Sequence, residues 1–310
     1  MGTDAGGDGH ATRHEDVPGR PVVTGIDGSA SALRAAHLAA EEARRRGAPL
    51  HLVCALPRPY TDLVTAAGPD VRARGESATE AALRTLADTL GPIAGREPVT
   101  WAIVRGDPVH VLRDASGDAS LLVLGSRGAG GLAGLLLGST ANGLVVDAAC
   151  PVIVLPDEST AVVSARRSVV VGVEGHRPED PVLAFAFDAA TTHGTDLVAV
   201  HTWQDSALGP DVASISPLVD WAAVAADEQR VLTEALAGWR AERPDVEVRE
   251  VVLRERAARG LIATAVTAEL LVVGHRRRRR LAALRSTTHG VLHRAACPVA
   301  VVPFDDGRER

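Results

Sequence analysis

The sequence predicts an α/β protein made of two tandem domains, each a doubly wound, five-stranded parallel sheet. Three observations predict it. The chain has 310 residues, long for one core and comfortable for two domains of roughly 150 residues each. VVTGIDGS, beginning at Val22, reappears as VVVGVEGH, beginning at Val169, and DAACPVIVLP, from Asp147, reappears as RAACPVAVVP, from Arg294; both offsets are 147 residues. A fixed offset at both ends of the unit marks a duplicated domain. Within each copy, short Val-rich runs alternate with Ala-rich helical stretches, the pattern of repeated βαβ units.

The expected strands of the first copy lie at 21–26, 50–56, 99–104, 121–124 and 152–155, and those of the second at 169–173, 197–201, 246–253, 270–273 and 299–302. Their near-continuous apolar runs suit strands buried on both faces of a parallel sheet. Between them, 31–46 reads as a helix with Leu33, Ala36, Ala40 and Ala43 on one face and Arg34, Glu41 and Arg45 elsewhere. Gly47 then ends it, as glycine does after a last helical turn. Right-handed crossovers between such elements give a Rossmann-like sheet. The domains are expected at 18–156 and 168–304, joined by a polar linker at 157–167, with a disordered tail at 1–17 and a short one at 305–310.

Composition narrows the function. With 39 acidic against 33 basic residues the formal charge is −6, which offers no global field for a polyanion and makes nucleic acid an unlikely partner. Every basic residue is Arg and none is Lys, which excludes a Schiff base, a lysine general base and the lysine-bearing P-loop. Cys54, Cys150 and Cys297 are far apart, without metal-ligand spacing, and read as buried thiols in a reducing compartment. The first seventeen residues hold no apolar run, so neither a signal peptide nor a membrane segment is expected and the location read is cytoplasmic.

Ligands of open α/β sheets bind beyond the carboxyl ends of the strands, where the winding direction reverses. In the first copy that edge holds Asp27, after the first strand, and Gly125, after the fourth. From Gly125 runs a loop with glycines at 125, 128, 130, 131, 134 and 138, after which Ser139 and Thr140 open an apolar helical segment. Glycines let backbone N–H groups approach phosphate oxygens, and a helix start adds unpaired donors and partial positive charge. Two plainer readings stand beside this one: a glycine-rich surface turn with Ser139 as an ordinary N-cap, and Asp27 as a turn residue. Gly128-x-Gly130-x-x-Ala133 has the look of a dinucleotide fingerprint, but it follows the fourth strand rather than the first.

The spacing Gly125-x-x-Gly128-x9-Gly138-Ser139, with the GIDGS start and the CPV-type last strand, resembles the nucleotide-binding signature of the universal stress protein family, in its tandem two-domain form. The resemblance spans nearly the whole chain. It implies ATP, with or without Mg2+, as the ligand of the first copy and a stress-response regulator as the function. It further implies that Asp27 hydrogen-bonds adenine, with Gly25 and Ala55 in the base pocket. Gly125 borders the ribose, and Gly128, Gly138, Ser139 and Thr140 hold phosphates. Leu124 and Arg127 complete the expected set, Arg127 as a phosphate-neutralising side chain. Such domains pair through their last strands, so intramolecular pairing of the two copies, a further homodimer and an unidentified protein partner are expected.

The second copy departs from the pattern. Gly274 stands for Gly125, but Glu174 replaces Asp27, Arg285 stands where Gly138 does, and the loop is two residues shorter. The run from Arg276 to Arg280 reads either as a solvated loop or as a local anion site. No H-E-x-x-H or G-x-S-x-G motif occurs, and His51 and His201 read as core or pocket-rim residues. Near the glycine loop, Asp107 and Asp114 are the only carboxylates considered for chemistry. Slow ATP hydrolysis or phosphotransfer therefore ranks below binding, and a nucleotide-free interaction scaffold is the third reading.

Overall fold

The apolar runs of the first copy become strands whose two faces are both covered. The computed structural model describes residues 12–13, 19–56, 69–128, 137–157, 168–175, 180–203, 220–276 and 287–305. The chain divides into two compact units, Met1–Val152 and Ile153–Arg310. In the first, β1 (Thr12–Arg13), β2 (Val22–Gly25), β3 (Leu50–Leu56), β4 (Val99–Arg105) and β5 (Leu121–Gly125) run in the order β1-β4-β3-β2-β5. All pairs are parallel except β1 with β4, where Thr12 faces Ile103 and Arg13 faces Ala102. This edge strand lies in the stretch read from sequence as a disordered tail. β6 (Val152–Leu155) follows at the boundary of the units.

Among the described residues the first unit has four helices: α1 (Ala30–Arg46), α2 (Pro69–Ala94), α3 (Pro108–Ser116) and α4 (Ser139–Asp147). α1 packs on α2, and α3 on α4. Neighbouring strand residues point to opposite faces, and the missing side chain of Gly25 would meet Leu112 of α3 while that of Gly125 would meet Ser31 of α1. The two helix pairs therefore lie on opposite faces, and the winding reverses between β2 and β5.

α1 starts where Ser29 Oγ accepts the Ala32 N–H at 3.1 Å and ends at Gly47, whose φ of +57° is the left-handed cap. Its buried face is Ala32, Ala35, Ala36, Ala39, Ala40 and Ala43, whereas Leu33 is 40% exposed. This corrects the sequence reading of Leu33. A face whose apolar residues are all alanine lets the helix lie close on the sheet, and Leu33 falls one position outside it, towards Arg34. The Glu42 side chain, only 1% exposed, is held by Arg45 at 3.0 Å and Arg46 at 3.1 Å.

The second unit repeats the plan. β7 (Ser168–Val173), β8 (Asp196–Trp203), β9 (Val248–Arg254), β10 (Leu270–Arg276) and β11 (Val299–Phe304) run in the order β11-β10-β7-β8-β9, all parallel. α5 (Asp180–His193), α6 (Trp221–Glu242), α7 (Ala257–Thr264) and α8 (Thr287–Leu292) surround them, with Phe187 of α5 stacked on Trp239 of α6 at 5.8 Å. The three cysteines are buried free thiols, and burial pushes the Cys297 thiol up to about 11. No helix among the described residues is long and apolar enough to cross a membrane.

Two outcomes follow from this packing. Ala39→Leu forces a branched side chain between α1 and the sheet and lowers unfolding free energy by about 1–3 kcal/mol, while Leu33→Ala changes it by about 0.5 kcal/mol or less; urea unfolding of both variants reads the contrast. The Cys297 thiol keeps its proton in the folded chain at pH values where the unfolded chain has released it. Its contribution to stability is full below about 9 and is lost as the pH climbs through about 11. Cys297→Ala flattens that part of the stability profile.

Candidate functional site

The site grows from two turns that leave the sheet side by side. After β2, Ile26 N–H donates to Val53 O at 2.8 Å, which keeps the chain on the sheet edge for one more residue. Asp27 is then exposed, Gly28 adopts φ +81°, and the Ser29 N–H donates to Asp27 Oδ1 at 2.9 Å. Asp27 is thus the turn residue of the plainer reading. Its other oxygen points across the crevice: a Cβ on Gly128 would lie 2.7 Å from Asp27 Oδ2.

Gly138 completes the arrangement from the far end of the glycine loop. Its N–H donates to Ser126 O at 2.7 Å, and its own Cβ position lies 3.7 Å from the Gly128 nitrogen. Asp27, Gly128 and Gly138, which are scattered in sequence, therefore meet at the carboxyl ends of β2 and β5. Gly138 is also the N-cap of α4, and no side chain caps that helix. The first turn of a helix carries N–H groups without intrahelical partners and the positive end of the dipole, here beside Gly128. Ser139, exposed, and Thr140, half-buried, sit in that first turn. Residues 129–136 lie outside the described residues, including Gly130 and Ala133 of the dinucleotide-like motif.

The other expected residues divide. Ala55 is half-buried at the end of β3, paired in register with Val104, and Arg127 is half-buried after β5. Gly25 faces α3, where a Cβ would meet Leu112 Cδ1 at 2.8 Å. Leu124, 4% exposed, packs beside that position, so its side chain belongs to the core. Gly125 has a structural reason to be glycine: a Cβ there would lie 2.4 Å from Ser31 Oγ and 2.8 Å from the Ser31 carbonyl carbon and oxygen. Sequence reasoning passed over Cys54, whose thiol is raised first by burial and then by the Asp27 charge. Its position one residue before Ala55 is the signal that would have found it.

The carboxylates considered for chemistry have other partners. Asp107 caps α3, its Oδ1 accepting the N–H groups of Val109 at 3.0 Å and His110 at 3.2 Å. Asp114 pairs with Arg113 at 3.3 Å on the surface. His51 Nδ1 lies 2.8 Å from Thr100 Oγ1, joining β3 to β4. His289 and His293 form an H-x3-H pair, a spacing that the sequence reading took to be absent, and stand edge to face with ring centres 4.1 Å apart. Burial, then His289 and Arg294, hold the His293 ring below its ordinary range. No group of three or more His, Cys, Asp or Glu among the described residues is placed to hold a metal ion.

At the corresponding edge of the second unit, Arg276 donates to Glu174, and in sequence Arg277 takes the place of Gly128. Residues 277–286, with Arg277 to Arg280, Arg285 and Ser286, lie outside the described residues.

Comparison of the chain with known proteins returns one family. The sequence model of the universal stress protein family matches residues 19–156 and again 165–303. A universal stress protein of Mycobacterium tuberculosis is 37% identical over 263 residues, covering 83% of this chain and 86% of its own. Another from the same organism is 35% identical over 292 residues, covering 90% and 96%. The solved structure of a universal stress protein from Archaeoglobus fulgidus superposes with a TM-score of 0.66 at 20% identity, covering 93% of this chain and 97% of its own; at that identity it speaks for the fold.

Two glycines of the loop are expected to respond differently to the same change. Gly125→Ala drives a methyl group into the Ser31 backbone and lowers the melting temperature by several degrees. Gly138→Ala places its methyl 3.4 Å from the nearest atom at an extended φ, and leaves the melting temperature within about a degree. Calorimetry of the two variants distinguishes a packing glycine from one that packing does not require.

Proposed function

The chain belongs to the universal stress protein family, and from that premise we propose that its first half binds ATP and that the protein acts as a nucleotide-dependent regulator of stress response in the cytoplasm. The observation that carries the reading is the convergence of Asp27, Gly128 and Gly138 at the crevice between β2 and β5, with the uncapped start of α4 beside them.

Each part has a chemical task. A carboxylate accepts hydrogen bonds and donates none when ionised, so Asp27 Oδ2 favours a base edge that presents an amino group, as adenine does. Ala55, small and half-buried at the end of β3, leaves room for a flat ring, while Gly25, whose side-chain position Leu112 closes, would border the base through its backbone. Gly128 and Gly138 let phosphate oxygens approach the backbone, and the first turn of α4, with the Ser139 and Thr140 hydroxyls, supplies donors and positive potential. Arg127 adds charge. Mg2+ with ATP would be held chiefly by the phosphates, as that small ion keeps most of its waters. Binding without turnover is the reading favoured, because Asp107 caps a helix and Asp114 holds a surface arginine. A ligand that binds only the folded chain stabilises it by mass action, which gives the regulator its two states. The three buried free thiols suit a reducing compartment.

Thermal melting of the purified chain tests the reading. ATP at about one hundred times its Kd is expected to stabilise by about 2.7 kcal/mol. Asp27→Asn, which keeps an oxygen for the Ser29 N–H but removes the charge, weakens ATP by roughly ten-fold. Gly138→Val, with a branched side chain at the phosphate approach, abolishes the shift. An unshifted melt with ATP, or a full shift in Gly138→Val, contradicts nucleotide binding at this site.

A further inference from the structure

The second unit keeps the scaffold of the crevice and fills it with its own side chains. By the offset of 147, Glu174 duplicates Asp27, Gly175 duplicates Gly28 and His201 duplicates Cys54; by the offset of 149 that relates Gly274 to Gly125, Arg276 duplicates Arg127. His201, 4% exposed, fills the floor: Nδ1 lies 2.8 Å from Val173 O and Nε2 lies 2.8 Å from Glu228 Oε2 of α6. The turn after β7 is covered as well. A Cβ on Gly175 would lie 2.4 Å from Val231 Cγ1 of α6, whereas no described atom lies within 4 Å of the same position on Gly28. With His201 on the floor and Val231 over the turn, the described part of this edge is more closely filled than that of the first unit.

What remains is the arginine. Arg276 ends β10, its side chain is 15% exposed, and its guanidinium lies over the Phe304 ring, 5.7 Å from the ring centre. A guanidinium held against a ring and largely withdrawn from water is preorganised for a planar or tetrahedral oxyanion, which it binds through paired N–H donors. In this chain the oxyanion is internal: Arg276 donates to the carboxylate of Glu174, across the ends of β7 and β10. Glu174 is 66% exposed, and an ion pair with one partner so exposed is held weakly enough to exchange. Four further arginines follow in sequence, and none of them is needed for the site.

We infer that Arg276 is the receptor of an oxyanion site in the second half which the chain's own Glu174 carboxylate occupies, so that this half accepts a phosphate-type anion when Glu174 is withdrawn. The ligand class is a small phosphate or pyrophosphate, the oxyanion that the paired donors of a single guanidinium suit. The inference is independent of nucleotide binding by the first half.

Inorganic pyrophosphate, titrated calorimetrically into the full-length chain, tests it with three proteins: wild type, Glu174→Gln and Glu174→Gln/Arg276→Gln. Any binding by the first half is common to all three. Glu174→Gln is expected to bind pyrophosphate roughly ten-fold or more tightly than wild type, and the double variant to lose that gain. Should the double variant fail to fold, Glu174→Gln/Arg276→Lys replaces it; lysine keeps the charge without the fork, and only part of the gain should survive. The inference is overturned if Glu174→Gln binds no better than wild type, or if the gain persists in full without the Arg276 guanidinium. The ATP melting shift of the Glu174→Gln variant should equal that of wild type, so failure of the first-half reading shows separately.

Discussion

The carboxyl edge of the first half depends on how closely the first turn of α1 lies on the end of β5. Ser31 stands where any side chain on Gly125 would have to go, and this close seat is possible because the rest of the α1 face is alanine. The seat fixes the turn that precedes α1, and with it Asp27, relative to the chain leaving β5. Asp27 then faces Gly128, and the Gly138 N–H bond to Ser126 brings the start of α4 to the same place. A larger residue at position 125 would lift α1 and separate the acid from the loop. The glycine most easily read as a ligand contact is in the first instance a packing residue that lets Asp27, Gly128 and Gly138 come together.

Duplication has given both halves the same sheet order and the same reversal of winding, yet the contents of the two crevices differ. In the first unit the strand ends meet a short acid, a small thiol and glycines. In the second they meet a longer acid, a histidine hydrogen-bonded on both ring nitrogens, and an arginine that holds the acid. A shared fold does not carry a shared function, and here the divergence occurs within one chain. The second unit has kept the sheet edge while its acid, its histidine and its arginine each hold a group of the chain itself.

Much of the scaffold was legible in the sequence because it rests on periodic signals. The strands from β2 to β11 fall within a few residues of their expected places, and Gly47 ends α1 as glycine chemistry requires. The glycine spacing set Asp27, Gly128 and Gly138 at one edge of the sheet, and the three do meet there. What escaped detection was decided by neighbours distant in sequence. Nothing local to Thr12 and Arg13 announces an edge strand, and Leu33 reads as core until the alanines around it show which face the sheet needs. The Ser31 seat against Gly125, the Cys54 thiol near Asp27 and the Glu174–Arg276 pair each join residues that only the folded chain brings together. Leu124 was counted with the site from its place in the loop motif, although strand alternation turns its side chain into the core.

One site of the family type per chain is the central claim, and counting bound nucleotide tests it most directly. Equilibrium dialysis of the full-length protein against labelled ATP is predicted to saturate at one ATP per chain, and at none in Gly138→Val. Saturation at two per chain, or retention of one in that variant, would contradict the assignment of the site to the first half.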